Sequence, residues 1–316
     1  MTSLATAAGR AAREKELYPP ITHLFSEGHF EVWEQATIRA GDEGTKTADH
    51  VAWRWQGDEI DACAVEVKAG NADVGFAQAV AYEVGFSKVY VAAEDDVAET
   101  GYLAKVFDRL GLGYISVSPA AATIELEAKP SEFISQPVHD ENLGRIRLRH
   151  LFTESLVGEA VRASRDQRGE IWAVTGTTSE WQVCGQVITG SECMWLSLLA
   201  EGKSIGVRAA ALRPERLIGA IEALPGCRLV LRRREHKGFR PVHEDLAVWR
   251  PADGPAALDS LLRDSRALSV EKNVGPQFQI ISDFWPHEMR LAEDAARTEL
   301  AEAVTRLRGI RDRLNA

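Results

Sequence analysis

No window of this chain approaches the roughly 18 to 20 continuous apolar residues that a membrane helix needs, so a helical span is not expected. The N-terminal stretch also lacks a cationic start leading into an apolar run, and the expected compartment is therefore the cytoplasm. Cysteine is scarce. The four residues Cys63, Cys184, Cys193 and Cys227 show no CxxC spacing and no Cys/His cluster, which argues against a disulfide framework or a zinc centre and predicts free, mostly buried thiols. The eight histidines are scattered without i, i+4 pairing, and His50 reads as structural. No local Ser-His-Asp signature exists. Gly202-Lys203-Ser204 ends like a P-loop, but Ser197 stands where the earlier glycine is required.

Positive charge is also in short supply: 37 Lys and Arg against 47 Asp and Glu give a formal net charge of -10. That balance argues against a protein that coats nucleic acid nonspecifically, because phosphate contacts come from Lys and Arg. It leaves open a protein with one local site. With 45% hydrophobic and 27% charged residues over 316 positions, the chain has the profile of an ordered globular protein and enough length for two domains.

The most informative segment runs from Asp49 to Lys68. Val51 to Trp55 and Ile60 to Lys68 both read as strands, and Gln56-Gly57-Asp58-Glu59 between them has hairpin-turn chemistry. Folding that hairpin brings Asp49 towards Glu66. On a strand, alternate side chains share a face, so Glu66 and Lys68 form one edge while Val67 points into the core. Asp61, at odd spacing from Glu66, should point away. Hard cations such as Mg2+ bind through one or two carboxylates plus waters and substrate phosphate, which is the role open to Asp49 and Glu66. Lys68 is then placed to orient an attacking water or hold a phosphate. These residues predict a candidate metal-dependent phosphodiester hydrolase.

The arrangement resembles the PD-(D/E)XK nuclease superfamily over roughly the first 120 residues, with Ala48 in place of the proline of the family name. The resemblance implies an α/β fold, with an N-terminal αβββαβ restriction-endonuclease-like core. It implies Mg2+ or Mn2+ as cofactor, held by Asp49, Glu66 and the Val67 carbonyl, with Lys68 assisting the attacking water. Within the predicted helix Val74 to Phe86, Gln78-Ala79-Val80-Ala81-Tyr82 is similar to the Gln-x-x-x-Tyr element of several subfamilies, which implies that Gln78 and Tyr82 position substrate. The leading helix, Ala11 to Phe25, implies a further acid at Glu16, although Pro19-Pro20 should interrupt or kink it. DNA as substrate, and a role in restriction, defence against foreign DNA or repair, follow from the resemblance alone.

Around the hairpin the expected order is a strand over Glu31 to Ala36, a strand over Lys88 to Ala93, a helix over Val97 to Leu110 and a strand over Tyr114 to Ser118. Asp73 is the expected cap of the helix bearing Gln78. Breaks between Ala128 and Asn142 place a boundary there, giving a nuclease-like domain over 1–128 and an α+β domain over 143–285. In the second part Arg145 to Arg165 reads as helical, Glu170 to Val174 and Trp181 to Ile188 as strands, Cys193 to Glu201 as helix or strand, and Arg213 to Ala223 as helix.

Cys227 to Arg240 is locally basic. Arg232, Arg233, Arg234, Lys237 and Arg240 form either a surface that grips a nucleic-acid backbone or the protective charges of a solvated edge strand. The C-terminal segment 286–316 reads as one amphipathic helix whose stripe includes Leu300, Val304, Leu307, Ile310 and Leu314. That stripe either docks on its own chain or meets a second copy or a partner protein. An alternative to the nuclease is a catalytically weak or inactive nuclease-like scaffold that binds nucleic acid or protein as part of a larger complex.

Overall fold

The computed structural model describes residues 12–41, 44–57, 59–70, 72–94, 102–156, 161–165, 169–174, 181–188, 194–201, 217–219, 228–237, 240–270, 275–285 and 294–315; for much of the second half the description is of backbone and register. The chain divides into two compact units, Met1–Ile146 and Arg147–Ala316. Among the described residues no helix is long and apolar enough to cross a membrane.

The first unit is α/β. Residues 12–16 are helical, Leu17 forms a turn, and helix α1 follows over Tyr18–Glu27. Pro19 and Pro20 sit in the first turn of α1, where a missing N–H costs nothing, so the proline pair restarts a helix that the sequence reads as continuous. Strands β1 (Glu31–Arg39), β2 (Thr45–Gln56) and β3 (Glu59–Lys68) form an antiparallel meander. Gly57 turns between the last two at φ +64, which only glycine adopts freely. Helix α2 (Asp73–Tyr82) then crosses to β4 (Lys88–Ala93), which pairs with β3 in parallel, so the order αβββαβ is present. Helix α3 (Tyr102–Leu110) leads to β5 (Gly113–Ser118), parallel to β4, and β6 (Ala121–Leu126) closes the sheet in the order β1-β2-β3-β4-β5-β6.

Burial explains this order. In β3 every residue from Ala62 to Val67 is buried, the mark of a strand covered on both faces. On one face Leu17, Tyr18, Ile21 and Phe25 of the N-terminal helices pack with Cys63, Val65, Val67, Tyr90 and Ile115. On the other, Gly75 of α2 comes so close that an added Cβ would lie 3.2 Å from Lys68 Cγ and 3.4 Å from Glu66 Cγ. Cys63 is a buried free thiol, pushed up to about 12 first by burial, then by the Asp61 charge; Cys184 is likewise buried.

Helix α4 (Gln136–Ser155) contains the division between the units, and the segment before it packs back onto the first. Lys129 N–H donates to the Gly111 carbonyl (2.8 Å), and Ser131 N–H to that of Ser87 (2.8 Å). Asn142 Oδ1 accepts the Arg39 N–H (2.7 Å) while its Nδ2 donates to the Arg39 carbonyl (3.0 Å).

Glu83, just beyond α2, is 2% exposed, and its Oε2 has no hydrogen-bond partner. Burial raises its carboxyl to about 7. A carboxyl raised in the folded state is least costly below its unfolded value, and the protein loses stability as pH rises through about 7. Glu83→Gln is therefore expected to melt with the native protein near pH 4 and a few degrees above it at pH 8. Identical melting curves at pH 8 would contradict that burial cost.

The second unit is an antiparallel seven-stranded sheet in the order β12-β11-β13-β10-β9-β8-β7. Its strands are β7 (Val161–Arg165), β8 (Gly169–Val174), β9 (Gln182–Ile188), β10 (Met194–Glu201), β11 (Arg228–Lys237), β12 (Arg240–Trp249) and β13 (Gly275–Trp285). Among the described residues, helices α5 (Gly254–Val270) and α6 (Asp294–Asn315) belong to the same unit. The helical reading of Arg145 to Arg165 is corrected: α4 ends at Ser155, and Val161–Arg165 pairs with β8, because sheet pairing overrides a continuing apolar period. Residues 194–201 are strand, whereas most of Arg213 to Ala223 lies outside the described residues.

The terminal stripe is covered within its own unit. Leu300, Val304, Leu307, Ile310 and Leu314 are all buried, and α6 packs on β9 and β10. Asn315 fastens its end, its Oδ1 accepting the Trp181 N–H (2.9 Å) and its Nδ2 donating to the Trp181 carbonyl (3.1 Å).

Candidate functional site

The β2–β3 register pairs His50 with Val65, so one step further places Asp49 opposite Glu66 on the same face. Lys68 follows two residues on, along the same edge. Asp61 lies on the other face, held by Arg54 (3.2 Å) and Lys88 (3.1 Å).

Asp49 is partly buried and is reached from three elements. Tyr18 of α1 donates its hydroxyl to Oδ1 at 2.5 Å, Gln35 of β1 donates Nε2 to Oδ1 at 2.8 Å, and the Val67 N–H of β3 donates to Oδ2 at 2.8 Å. Gln35 Nε2 also lies 2.5 Å from the Tyr18 hydroxyl oxygen, so one amide nitrogen approaches both oxygens. Val67 thus enters the site through its N–H, while its side chain is in the core.

Glu66 is 1% exposed. Its Oε1 accepts from Lys68 Nζ at 2.5 Å and its Oε2 from the Tyr82 hydroxyl at 2.7 Å. Burial first, then the charge of Asp49, raises Glu66 to about 7, while Lys68 and Tyr82 oppose that rise. Lys68 is itself pulled both ways: burial lowers it, but its bond to Glu66 and the charges of Glu66, Asp49 and Glu14 win, and it keeps its proton. Tyr18 and Tyr82 are raised well above the ordinary phenol range by burial and by the neighbouring carboxylates, so both remain O–H donors.

The sequence-predicted residues therefore separate into a cluster and its surroundings. Asp49, Glu66, Lys68 and Tyr82 come together. Gln78, one turn before Tyr82, is exposed, and Tyr82 holds Glu66 by a buried hydrogen bond in place of the substrate contact expected for it. Glu16 is exposed as well, and the acid of the leading helix whose charge acts on Tyr18 and Lys68 is Glu14, partly buried. Asp73 is not the cap of α2: Ala72 holds that position, without a side-chain hydrogen bond. His50 is fully buried, packs edge-on to the Tyr18 ring at 4.7 Å, and is lowered to about 4 by burial, which a hydrogen bond with the Tyr18 backbone opposes.

Sequence reasoning missed Tyr18, Gln35, Glu14 and Gly75. Gln35 leaves a local trace only in the backbone. It has φ +53 in the middle of a strand, a conformation that costs a non-glycine residue about 1–2 kcal/mol.

A carboxylate offers about four lone-pair positions. Asp49 uses two on Oδ1 and one on Oδ2, and Glu66 uses one on each oxygen, so acceptor positions remain on both residues and they are opposed across one strand pair. Among the described residues no group of three or more His, Cys, Asp or Glu side chains forms a metal cage. Two carboxylates with solvent and substrate oxygens are the usual donor set for Mg2+, and these residues fit it.

The basic segment has a different setting from the one expected. Its strand β11 is internal to the sheet, between β12 and β13, so it is not an edge strand. Register places Asp245 beside Arg232 and Glu244 beside Arg233, acids next to two of the five basic candidates. Arg234 pairs in register with His243 and Gly275, and Lys237 with Arg240.

No protein-family profile and no curated protein matches this chain. Among solved structures, the SPO1766 protein of unknown function from Silicibacter pomeroyi aligns with 14% identity and a TM-score of 0.31, over 47% of this chain and 95% of that one. A likeness at that distance carries neither fold nor function.

Proposed function

We propose that the first unit is a PD-(D/E)XK-type, metal-dependent nuclease that hydrolyses phosphodiester bonds, with DNA as the favoured substrate and restriction, defence against foreign DNA or repair as its setting. The observation that carries this reading is the pairing of Asp49 with Glu66 across the hairpin, with Lys68 on the same edge and the αβββαβ order around them. Asp49 and Glu66 would hold Mg2+ or Mn2+ through their remaining lone pairs. When bound, the ion would stabilise charge on the phosphate and acidify a water. The chain's own contribution is positioning: Lys68 supplies a fixed positive charge beside the carboxylates, Tyr82 orients Glu66, and α2 lies close because Gly75 has no side chain. Gln78, exposed one turn from Tyr82, is the proposed substrate contact. Arg232, Arg233, Arg234, Lys237 and Arg240 are the proposed backbone-gripping group of the second unit.

A second reading has its own observation. Every oxygen of Asp49 and Glu66 already has a donor within the protein, and Lys68 balances Glu66 directly, as in a self-contained polar network of an inactive scaffold. In that reading the protein is a nucleic-acid or protein-binding subunit.

Incubating the full chain with plasmid, linear, single-stranded, branched and methylated DNA and with RNA separates the two. The nuclease is expected to cleave at least one of these with Mg2+ or Mn2+, to stop in EDTA and to resume when Mn2+ is restored. Inertness towards all of them, together with no Mn2+ uptake by calorimetry, would leave the scaffold reading.

A further inference from the structure

We propose that Tyr18 and Gln35 are positioning residues for Asp49, locking its carboxylate so that Oδ2 keeps a lone pair directed to a divalent cation. The inference deepens the nuclease reading and rests on it. Neither residue belongs to the Asp, Glu-x-Lys or Gln-x-x-x-Tyr patterns, and both come from elements that sequence alone does not bring to the hairpin.

The geometry is specific. A carboxylate on a strand turns about two side-chain torsions, and a ligand useful to a hard cation must hold one orientation before the ion arrives. Here Oδ1 is occupied from two directions, by the Tyr18 hydroxyl at 2.5 Å and the Gln35 amide at 2.8 Å. Oδ2 is fixed by the Val67 N–H, leaving room for one further partner on that oxygen. The Tyr18 hydroxyl donates to the carboxylate and the Gln35 amide nitrogen lies against both oxygens, so the three groups form a closed triangle around Oδ1.

The backbone of Gln35 supplies a second, independent observation. The paired residues Glu34–His50 and Ala36–Ala48 bracket Gln35 opposite Asp49, and at that place β1 adopts φ +53. Glycine would take this conformation without strain, yet the residue is glutamine, an unfavourable choice unless its side chain is used. That side chain reaches both Tyr18 and Asp49. Tyr18 is 7% exposed, its ring packed edge-on against His50, so its hydroxyl is delivered by a well-anchored ring.

The test uses the full-length chain with Mn2+ alone as probe, measured by titration calorimetry, alongside melting temperature. Tyr18→Phe keeps the ring and removes the hydroxyl. Gln35→Gly keeps the backbone conformation, relieves its strain and removes the amide. Each variant is expected to bind Mn2+ about 10–100-fold more weakly, the usual effect of removing a partner that orients a ligand. Melting temperature is expected to stay level for Tyr18→Phe and to stay level or rise for Gln35→Gly. Native Mn2+ affinity in both variants would overturn the positioning role and leave the nuclease reading standing. So would affinity that falls only in step with melting temperature, since that is what a merely structural role predicts. A wild-type chain that takes up no Mn2+ would overturn both.

Discussion

Lys68→Met is expected to lower phosphodiester cleavage by about 10^2–10^4-fold, the range for loss of a positioned proton-transfer or charge-stabilising group. The substitution retains the stem beside Gly75 and removes only the ammonium, so the effect isolates the charge. It also carries a stability signature that does not depend on activity. The variant leaves Glu66 buried with Tyr82 as its remaining named donor, and removing one partner of a buried pair costs about 3–5 kcal/mol when the other stays charged. Glu66 already sits near 7, and without Lys68 it escapes the cost by holding its proton. The sign follows: a carboxyl raised above its unfolded value is tolerated at low pH and becomes costly as pH rises through its folded value. Lys68→Met should therefore melt close to the native protein at pH 5 and well below it at pH 8. Undiminished cleavage would remove Lys68 from the chemistry, and a melting difference that ignores pH would remove it from Glu66.

Gly85→Ala is expected to destabilise the first unit by about 2–4 kcal/mol, combining overpacking with broken buried hydrogen bonds. A Cβ at this position would lie 2.3 Å from Asn142 Nδ2 and 2.9 Å from the Arg39 carbonyl oxygen. Neither neighbour can yield cheaply. Asn142 is 1% exposed and satisfies both backbone groups of Arg39 at the end of β1, while the Gly85 carbonyl accepts from His139 Nδ1 at 3.0 Å. Moving α4 to admit a methyl group would leave those groups buried and unpaired. A fall in melting temperature of roughly 5–15 °C should follow, and an unchanged melting curve would mean that α4 docks by other contacts.

The hairpin was legible because its signals are local. Alternation with period two and a glycine at the turn are read within a dozen residues, and they put Glu66 and Lys68 on one edge opposite Asp49. The proline pair was legible as an interruption, but the place of each acid before it was not: only the packed helix shows that Glu14 is partly buried and acts on Lys68 while Glu16 is exposed. The helix bearing Tyr82 could be drawn from its residues, yet whether that hydroxyl faced substrate or Glu66 depended on how closely α2 approaches β3 at Gly75. The helical period after Arg145 was real as far as Ser155, and sheet pairing claimed Val161 to Arg165 beyond it.

By itself, then, the sequence determined the α/β character of the first unit, the order of its elements and the two-carboxylate, one-lysine edge, because each depends on near-neighbour periodicity and turn chemistry. Tertiary structure alone decided which groups hold that edge in place. Tyr18 and Gln35 meet Asp49 from 31 and 14 residues away, and Asn142 reaches Arg39 across 103. It also decided that the terminal stripe is buried on β9 and β10 and that β11 is internal to its sheet. The physical reason is common to all of these: hydrogen bonds and apolar burial act through space, and the partners they choose leave no period along the chain.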